Sequence, residues 1–190
     1  MKKELIINKL NTQLVILAGG QSKRFGGGFK TLHKFNKKTV LERIIKNYEN
    51  LNINIALNVN SDEKEFSKTG LVLIKDEIEN FQGPLAGIYS SIKWVTKNNK
   101  NIEWLLTTPS DTPFLFAEII NKFFKTEFKE NSKIILAKNY DKIHPVIGLW
   151  HISLIKKLEK FLENKNHFFN INTKSDLDEA IKIEKLLKIL

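Results

Sequence analysis

Gln13-Leu14-Val15-Ile16-Leu17-Ala18-Gly19-Gly20-Gln21-Ser22-Lys23-Arg24-Phe25-Gly26-Gly27-Gly28-Phe29-Lys30 is the stretch on which the fold turns. The run from Gln13 to Ala18 is apolar and stops at glycines. Side chains alternate across a strand, so an unbroken apolar run predicts a strand buried on both faces. The loop that follows is of a different kind. Five of the chain's nine glycines fall in the ten positions from Gly19 to Gly28. Glycine lets the backbone turn tightly and approach a ligand closely, and exposed N–H groups then cradle phosphate oxygens. Arg24 and Lys30 add the positive charge that a triphosphate or pyrophosphate requires. The spacing fits neither GxGxxG nor GxxxxGK[ST], which disfavours a dinucleotide-binding fingerprint or a P-loop NTPase.

Outward from this stretch, strands and helices alternate. Residues 53–58 and 70–74 predict the second and third strands, and 103–107 the fourth. Between them, 39–48 has apolar residues at helical spacing behind a capping Thr39. Residues 84–96 open on Pro84 and carry Leu85, Ile88, Ile92 and Val95 on one helical face. Residues 115–124, 153–162 and 174–187 predict further helices, and 133–137 and 143–150 further strands. This alternation predicts an α/β fold with a mainly parallel sheet. No linker or repeat interrupts it, so residues 1–190 are expected to form one domain. In open sheets of this kind ligands bind at the carboxyl ends of the strands. The loops after Ala18, Asn58, Ile74 and Thr107 are therefore the ones to inspect.

Composition narrows the function classes. Apolar residues make up 42% and charged residues 27% of the chain, an ordinary balance for a folded globular protein. No apolar run is long enough to span a bilayer. The basic stretch from Met1 to Asn11 has no small-residue cleavage site after it, so no secretion signal is expected. Cysteine is absent, which excludes disulfides and thiolate metal sites and fits a cytoplasmic location. The net charge of +10 admits polyanionic partners, phosphorylated small molecules and nucleic acid among them. It equally fits a solvated lysine surface. A nucleotide-sensing or RNA-binding module without catalysis is the rival from another class; its RNA-binding form finds no support in an RNP-type aromatic motif or a single basic helix, and no stable nucleic-acid complex is expected.

Several polar residues lie at the expected strand ends. Asp111 sits between Pro109 and Pro113, which would fix the backbone and aim its carboxylate. A magnesium ion bound to a nucleotide often takes one or two carboxylates as well as phosphate oxygens. Asp111 suits that role, and it equally suits a turn or a helix cap. The Asn58 amide donates and accepts hydrogen bonds, as base or ribose recognition requires, although asparagine is also common in strand-ending turns. Gly83 would let the backbone approach a base, or simply make a tight turn into the helix that Pro84 opens. His33, His144, His151 and His167 show no zinc spacing. No serine or threonine stands in a GxSxG context.

The order of these motifs resembles a known family. Leu17-Ala18-Gly19-Gly20 with Ser22, Arg24 and Lys30 resembles the LAGGxSxRxG…K signature of nucleotidyltransferases. Gln82-Gly83-Pro84-Leu85-Ala86-Gly87-Ile88 resembles the GPLAG motif of the MobA family, the molybdenum cofactor guanylyltransferases. Thr108-Pro109-Ser110-Asp111-Thr112-Pro113 is similar to its CPCDTP motif, His144-Pro145-Val146 to an HP segment, and Asn170-Ile171-Asn172-Thr173 to an NxNT segment. The resemblance covers most of the chain. It implies a Rossmann-like three-layer α/β/α fold of the nucleotide-diphospho-sugar transferase type. It also implies transfer of GMP from GTP to molybdopterin, with magnesium and release of pyrophosphate. Arg24, Lys30 and Asp111 would then be catalytic, with Asp111 the metal ligand. Leu17, Ala18, Gly19, Gly20, Ser22, Lys30, Asn58, Asp76, Gly83 and Asp111 would hold the nucleotide, and His144, Asn170 and Asn172 the acceptor. The resemblance further admits delivery proteins for the cofactor. Cytidylyl transfer, or transfer to a sugar phosphate, would use the same fold. Two features depart from the family. Phe29 stands where an acidic residue usually precedes the matched lysine, and the stretch from Trp150 to Asn170 is short, which bears on acceptor binding.

Overall fold

The computed structural model describes residues 7–19, 29–59, 63–78, 83–129 and 131–163. Two compact units divide the chain, Met1–Ile155 and Lys156–Leu190. The first holds the sheet. Of the second, residues 156–163 are described, within a helix α5 (Ile155–Glu163). The expected helix at 174–187 lies outside the described residues, as do Gly20, Ser22, Arg24, Asn170 and Asn172.

Among the described residues six strands form the main sheet: β1 (Thr12–Leu17), β4 (Ile55–Val59), β5 (Val72–Lys75), β6 (Trp104–Pro109), β7 (Ile134–Asn139) and β8 (Lys142–His151). Their spatial order is β5-β4-β1-β6-β8-β7. Strands β5, β4, β1 and β6 run parallel, while β8 pairs antiparallel with both β6 and β7. Two short strands that the sequence pattern does not reveal, β2 (Lys34–Phe35) and β3 (Lys38–Thr39), make a separate hairpin. Its turn residues Asn36 and Lys37 both have positive φ, at 49° and 69°.

The helices cover both faces of the sheet. Along β1, Leu14 and Ile16 share one cluster with Leu57 of β4 and Trp104 and Leu106 of β6. That cluster also takes in Leu41, Ile44 and Tyr48 of α1 (Val40–Tyr48), and Ile120 and Phe123 of α4 (Ala117–Lys125). The opposite face receives α3 (Pro84–Asn98), whose Gly87 abuts Leu17 of β1 and Asn58 of β4. Three layers result, as expected for an α/β/α sandwich. Local chemistry fixes the helix starts. The Glu42 N–H donates to Thr39 Oγ1 at 3.0 Å and the Thr39 N–H to the Glu42 carboxylate at 2.6 Å, a capping box that satisfies two otherwise orphaned donors. Pro84 opens α3 where its missing N–H costs nothing. The short α2 (Glu63–Ser67) is anchored by the fully buried Phe66.

Between β7 and β8 the register jumps. Leu136 faces Gly148, but Ala137 faces His144, so residues 145–147 of β8 form an enlarged bulge. Pro145 lies in that bulge, where its inability to donate a ladder hydrogen bond does no harm.

Candidate active site

Chain order and spatial order disagree at one place. After β1 the chain builds β4 and β5 outward on one side, then crosses to β6 on the other side of β1. The carboxyl ends of β1 and β6 therefore flank a topological switch point, the point of strand-order reversal at which open sheets of this kind take ligands. β1 runs into Ala18 and Gly19, the start of the glycine loop. β6 runs into Pro109, Ser110 and Asp111. The two exits are tied together, since the Ser110 N–H donates to Leu17 O at 3.1 Å. On the other flank the Ala18 N–H donates to Asn58 O at 2.8 Å.

Lys30 and Asp111 meet at this switch point despite their separation in sequence. Lys30 Nζ lies 3.4 Å from Asp111 Oδ2, and both side chains are about half exposed. Thr31, which the sequence pattern does not single out, explains the meeting. Its buried hydroxyl donates to Ser110 O at 2.8 Å and pins the turn Lys30–Leu32 onto the loop after β6. Phe29 supplies a second anchor, edge-on to Phe66 with ring centroids 4.9 Å apart. The departure from the family pattern at this position thus has a packing role: an apolar ring roots the turn that carries Lys30. Asn47 of α1 steadies the other side, its amide donating to Pro113 O at 2.8 Å.

A second polar cluster lies along the same sheet edge, at the ends of β4 and β5. The Asn58 side chain is 2% exposed. Its Nδ2 donates to Asp76 Oδ1 at 2.8 Å and to Ile74 O at 3.1 Å. Burial raises the Asp76 pKa above the ordinary carboxylate value, and the Asn58 hydrogen bond offsets part of that rise. β5 and β6 are three strand spacings apart, about 14 Å. Gly83 caps α3 in an extended conformation, and the Ala86 N–H donates to Gly83 O at 3.2 Å.

His144 stands apart from these clusters. It is half-buried on β8 and lines an open depression of about 650 Å³ at the tip of the β7–β8 hairpin, with Asn139, Tyr140, Asp141 and Lys142. Neither Lys30 nor Asp111 borders that depression. The bulge beside His144 is nevertheless tied to β6. Thr107 Oγ1 donates to Val146 O at 2.8 Å and accepts from the Trp150 indole N–H at 3.0 Å.

Among the described residues no group of three or more His, Asp or Glu side chains could hold a metal on its own. A half-exposed carboxylate such as that of Asp111 does fit a cation whose remaining ligands are phosphate oxygens and water.

The MobA-like NTP transferase domain matches residues 14–175, most of the chain. This protein belongs to that family. Family members resemble it along nearly their whole length. The molybdenum cofactor guanylyltransferase of Nitrobacter hamburgensis is 33% identical over an alignment covering 92% of this chain and 95% of that protein. Molybdopterin-guanine dinucleotide biosynthesis protein A from Archaeoglobus fulgidus shares the fold, with a TM-score of 0.61 over 91% of this chain and 98% of that one at 22% identity. Rv0371C from Mycobacterium tuberculosis, 12% identical with a TM-score of 0.57 over 90% of this chain and 98% of that one, has been solved as a complex with manganese. Membership makes the chain a nucleotidyltransferase. Among the described residues no helix is long and apolar enough to cross a membrane.

Proposed function

We propose that this nucleotidyltransferase moves GMP from GTP to the phosphate of a molybdopterin-type cofactor, and that residues 1–190 work as one catalytic domain. The observation that carries the reading is the Lys30–Asp111 pair at the β1/β6 switch point, beside the glycine loop. The family match runs past residue 155, and the Nitrobacter hamburgensis relative is named for this activity. In the reaction, an acceptor phosphate oxygen attacks the α-phosphorus of GTP in line with the leaving group. The bond from that phosphorus to the bridging oxygen breaks, and pyrophosphate departs. The backbone of Leu17, Ala18, Gly19 and Gly20, with Ser22, would cradle the phosphates. Arg24 and Lys30 would neutralise charge on the α-phosphate and the departing pyrophosphate. Asp111 would hold magnesium, which supplies further charge neutralisation when bound. On the acceptor side the proposal keeps His144, Asn170 and Asn172.

Guanine preference follows from Asp76. Guanine presents two adjacent donors, N1–H and the exocyclic amine, which suit the two oxygens of one carboxylate. Cytosine offers an acceptor beside a single donor, and that acceptor would meet the carboxylate's charge. Gly83 would flank the base, and the buried Asn58 would serve the nucleotide site through its hydrogen bond to Asp76. The distance from Asp76 to Asp111 along the sheet edge is one that an extended nucleoside triphosphate can bridge. Incubation with GTP, magnesium and molybdopterin should yield the guanine dinucleotide and one pyrophosphate per turnover. Absence of product, or faster turnover with CTP, overturns the assignment.

The raised Asp76 pKa gives the reading a signature in pH. Only the ionised carboxylate can accept both guanine protons. GTP affinity should therefore fall on acidification at a pH above the ordinary aspartate range. Asn58→Ala removes the hydrogen bond that lowers this pKa, so its acid limb should begin at higher pH than in the wild type. Calorimetric titration of GTP across pH checks both, and an unmoved limb in Asn58→Ala contradicts the assignment.

A further inference from the structure

Two residues of α3 that no motif marks grip the loop carrying Asp76. Ser90 is 1% exposed. Its hydroxyl proton goes to Ala86 O at 2.8 Å, which turns a lone pair outward from the helix, and the Glu77 N–H donates to that lone pair at 2.9 Å. One turn further along, Lys93 forms an ion pair with the Glu77 carboxylate. Asp76 is thus held on its side-chain oxygen by Asn58 of β4, and through the next peptide by Ser90 of α3. A serine in mid-helix commonly returns its proton to the carbonyl four residues back. Ser90 differs in using its second valence to hold the backbone of a substrate loop.

We infer that Ser90 is a positioning residue for base selection: it fixes the rotation of the Asp76 carboxylate through the Glu77 peptide. The inference rests on the proposal that Asp76 reads guanine. A contact made through two parallel hydrogen bonds tolerates little rotation, whereas a contact through one tolerates more. Loss of the Ser90 restraint should therefore harm the two-donor base more than a one-donor base. ITP, which lacks the exocyclic amine of guanine, supplies the comparison.

Ser91 provides an internal control. It is equally buried, and its hydroxyl donates to Gly87 O at 2.6 Å, within the helix. No hydrogen bond from its side chain reaches residues 76–78.

The test is calorimetric binding of GTP and ITP, without acceptor, to the full chain and its variants. The wild type should prefer GTP to ITP. Ser90→Ala leaves the Glu77 N–H without its acceptor, and GTP affinity should fall about tenfold while ITP affinity falls less, so that the preference shrinks. Ser90→Cys keeps nearly the same shape with a poor acceptor and should behave like Ser90→Ala. Ser91→Ala should bind both nucleotides as the wild type does. In steady state, Ser90→Ala should raise KM for GTP and leave kcat within about twofold, because the reacting phosphates lie at the other end of the nucleotide. If Ser90→Ala and Ser91→Ala lose equal affinity, or if Ser90→Ala weakens GTP and ITP by the same factor, the positioning role is wrong and Ser90 is only a packing residue. A wild type that does not favour GTP over ITP overturns the guanine reading itself, and the inference with it.

Discussion

Asp111→Asn is expected to lower kcat by about 10³-fold while the protein stays folded, because it removes the negative charge that would hold the catalytic cation. A cation that offsets charge at the transferred phosphoryl contributes several kcal/mol to the transition state, and each 1.36 kcal/mol is tenfold in rate. The choice of variant separates chemistry from stability. Asn keeps the volume of the side chain, which is about half exposed, so the substitution opens no cavity. The ion pair that it dissolves, Lys30 Nζ to Asp111 Oδ2 at 3.4 Å, is solvent-screened and contributes under about 1 kcal/mol. The melting temperature should therefore stay within about 3 °C of the wild type. GTP should still bind in the absence of metal, since the glycine loop and the base-side residues are untouched. What should disappear is the gain in affinity that magnesium gives the wild type. Turnover within tenfold of the wild type at saturating magnesium would end the metal assignment. Lys30 would then be the better candidate for the charge that stabilises the transition state.

That pair also marks how far the sequence carries the site and where it stops. The apolar run into Gly19 and Gly20, the Thr39 cap and Pro84 at the start of α3 all act through local chemistry, and a local pattern reveals local chemistry. The strands and helices they imply are present, with ends shifted by one or two residues, as at β4, which begins at Ile55 while the sequence pattern starts at residue 53. Asn52 accounts for that shift: its left-handed backbone, φ 50°, ends the preceding turn and delays the extended chain. The β2–β3 hairpin escapes notice because two-residue strands have no periodicity to read; its only signal is an asparagine at the turn. The antiparallel direction of β8 is equally hidden, since a strand's own residues do not state which neighbour it joins. Thr31, Asn47 and Ser90 are hidden for a third reason. Each is an ordinary polar residue whose partner, Ser110, Pro113 or Glu77, lies far off along the chain or on another element. Phe29 is the opposite case. The sequence marks it as a misfit in a charged loop, and only its contact with Phe66 gives the misfit a purpose.

Gly87→Ala should destabilise the fold and weaken nucleotide binding together, and the reason is Asn58. A Cβ at position 87 would stand 2.3 Å from Asn58 Oδ1, 3.1 Å from its Cγ and 3.3 Å from Leu17 Cδ2. The amide cannot simply flip to relieve this. Its Nδ2 donates to two acceptors, Ile74 O and Asp76 Oδ1, and a flip would set Oδ1 against both. Nor can it move to solvent without leaving a site where it is 2% exposed. The side chain must swing, at the expense of both hydrogen bonds, or α3 must lift from the sheet. Unmet buried partners cost about 1–3 kcal/mol, and overpacking costs about 1–3 kcal/mol more. The higher helix propensity of alanine returns about 1 kcal/mol. The net loss of about 1–5 kcal/mol corresponds to a fall in melting temperature of roughly 2–20 °C for a chain of this size. GTP affinity should fall at least tenfold, because Asp76 loses the partner that sets its carboxylate. Asn58→Ser in the Gly87→Ala background tests the cause. The shorter side chain removes the clash, so the double variant should melt higher than the Gly87→Ala single variant, although Asn58→Ser alone is destabilising. Such a coupling of opposite sign to the single effects is what two residues competing for one space produce. Strictly additive losses would mean that the methyl at 87 acts elsewhere, on Leu17 or on the seating of α3, and that the Asn58 amide is not what Gly87 makes room for.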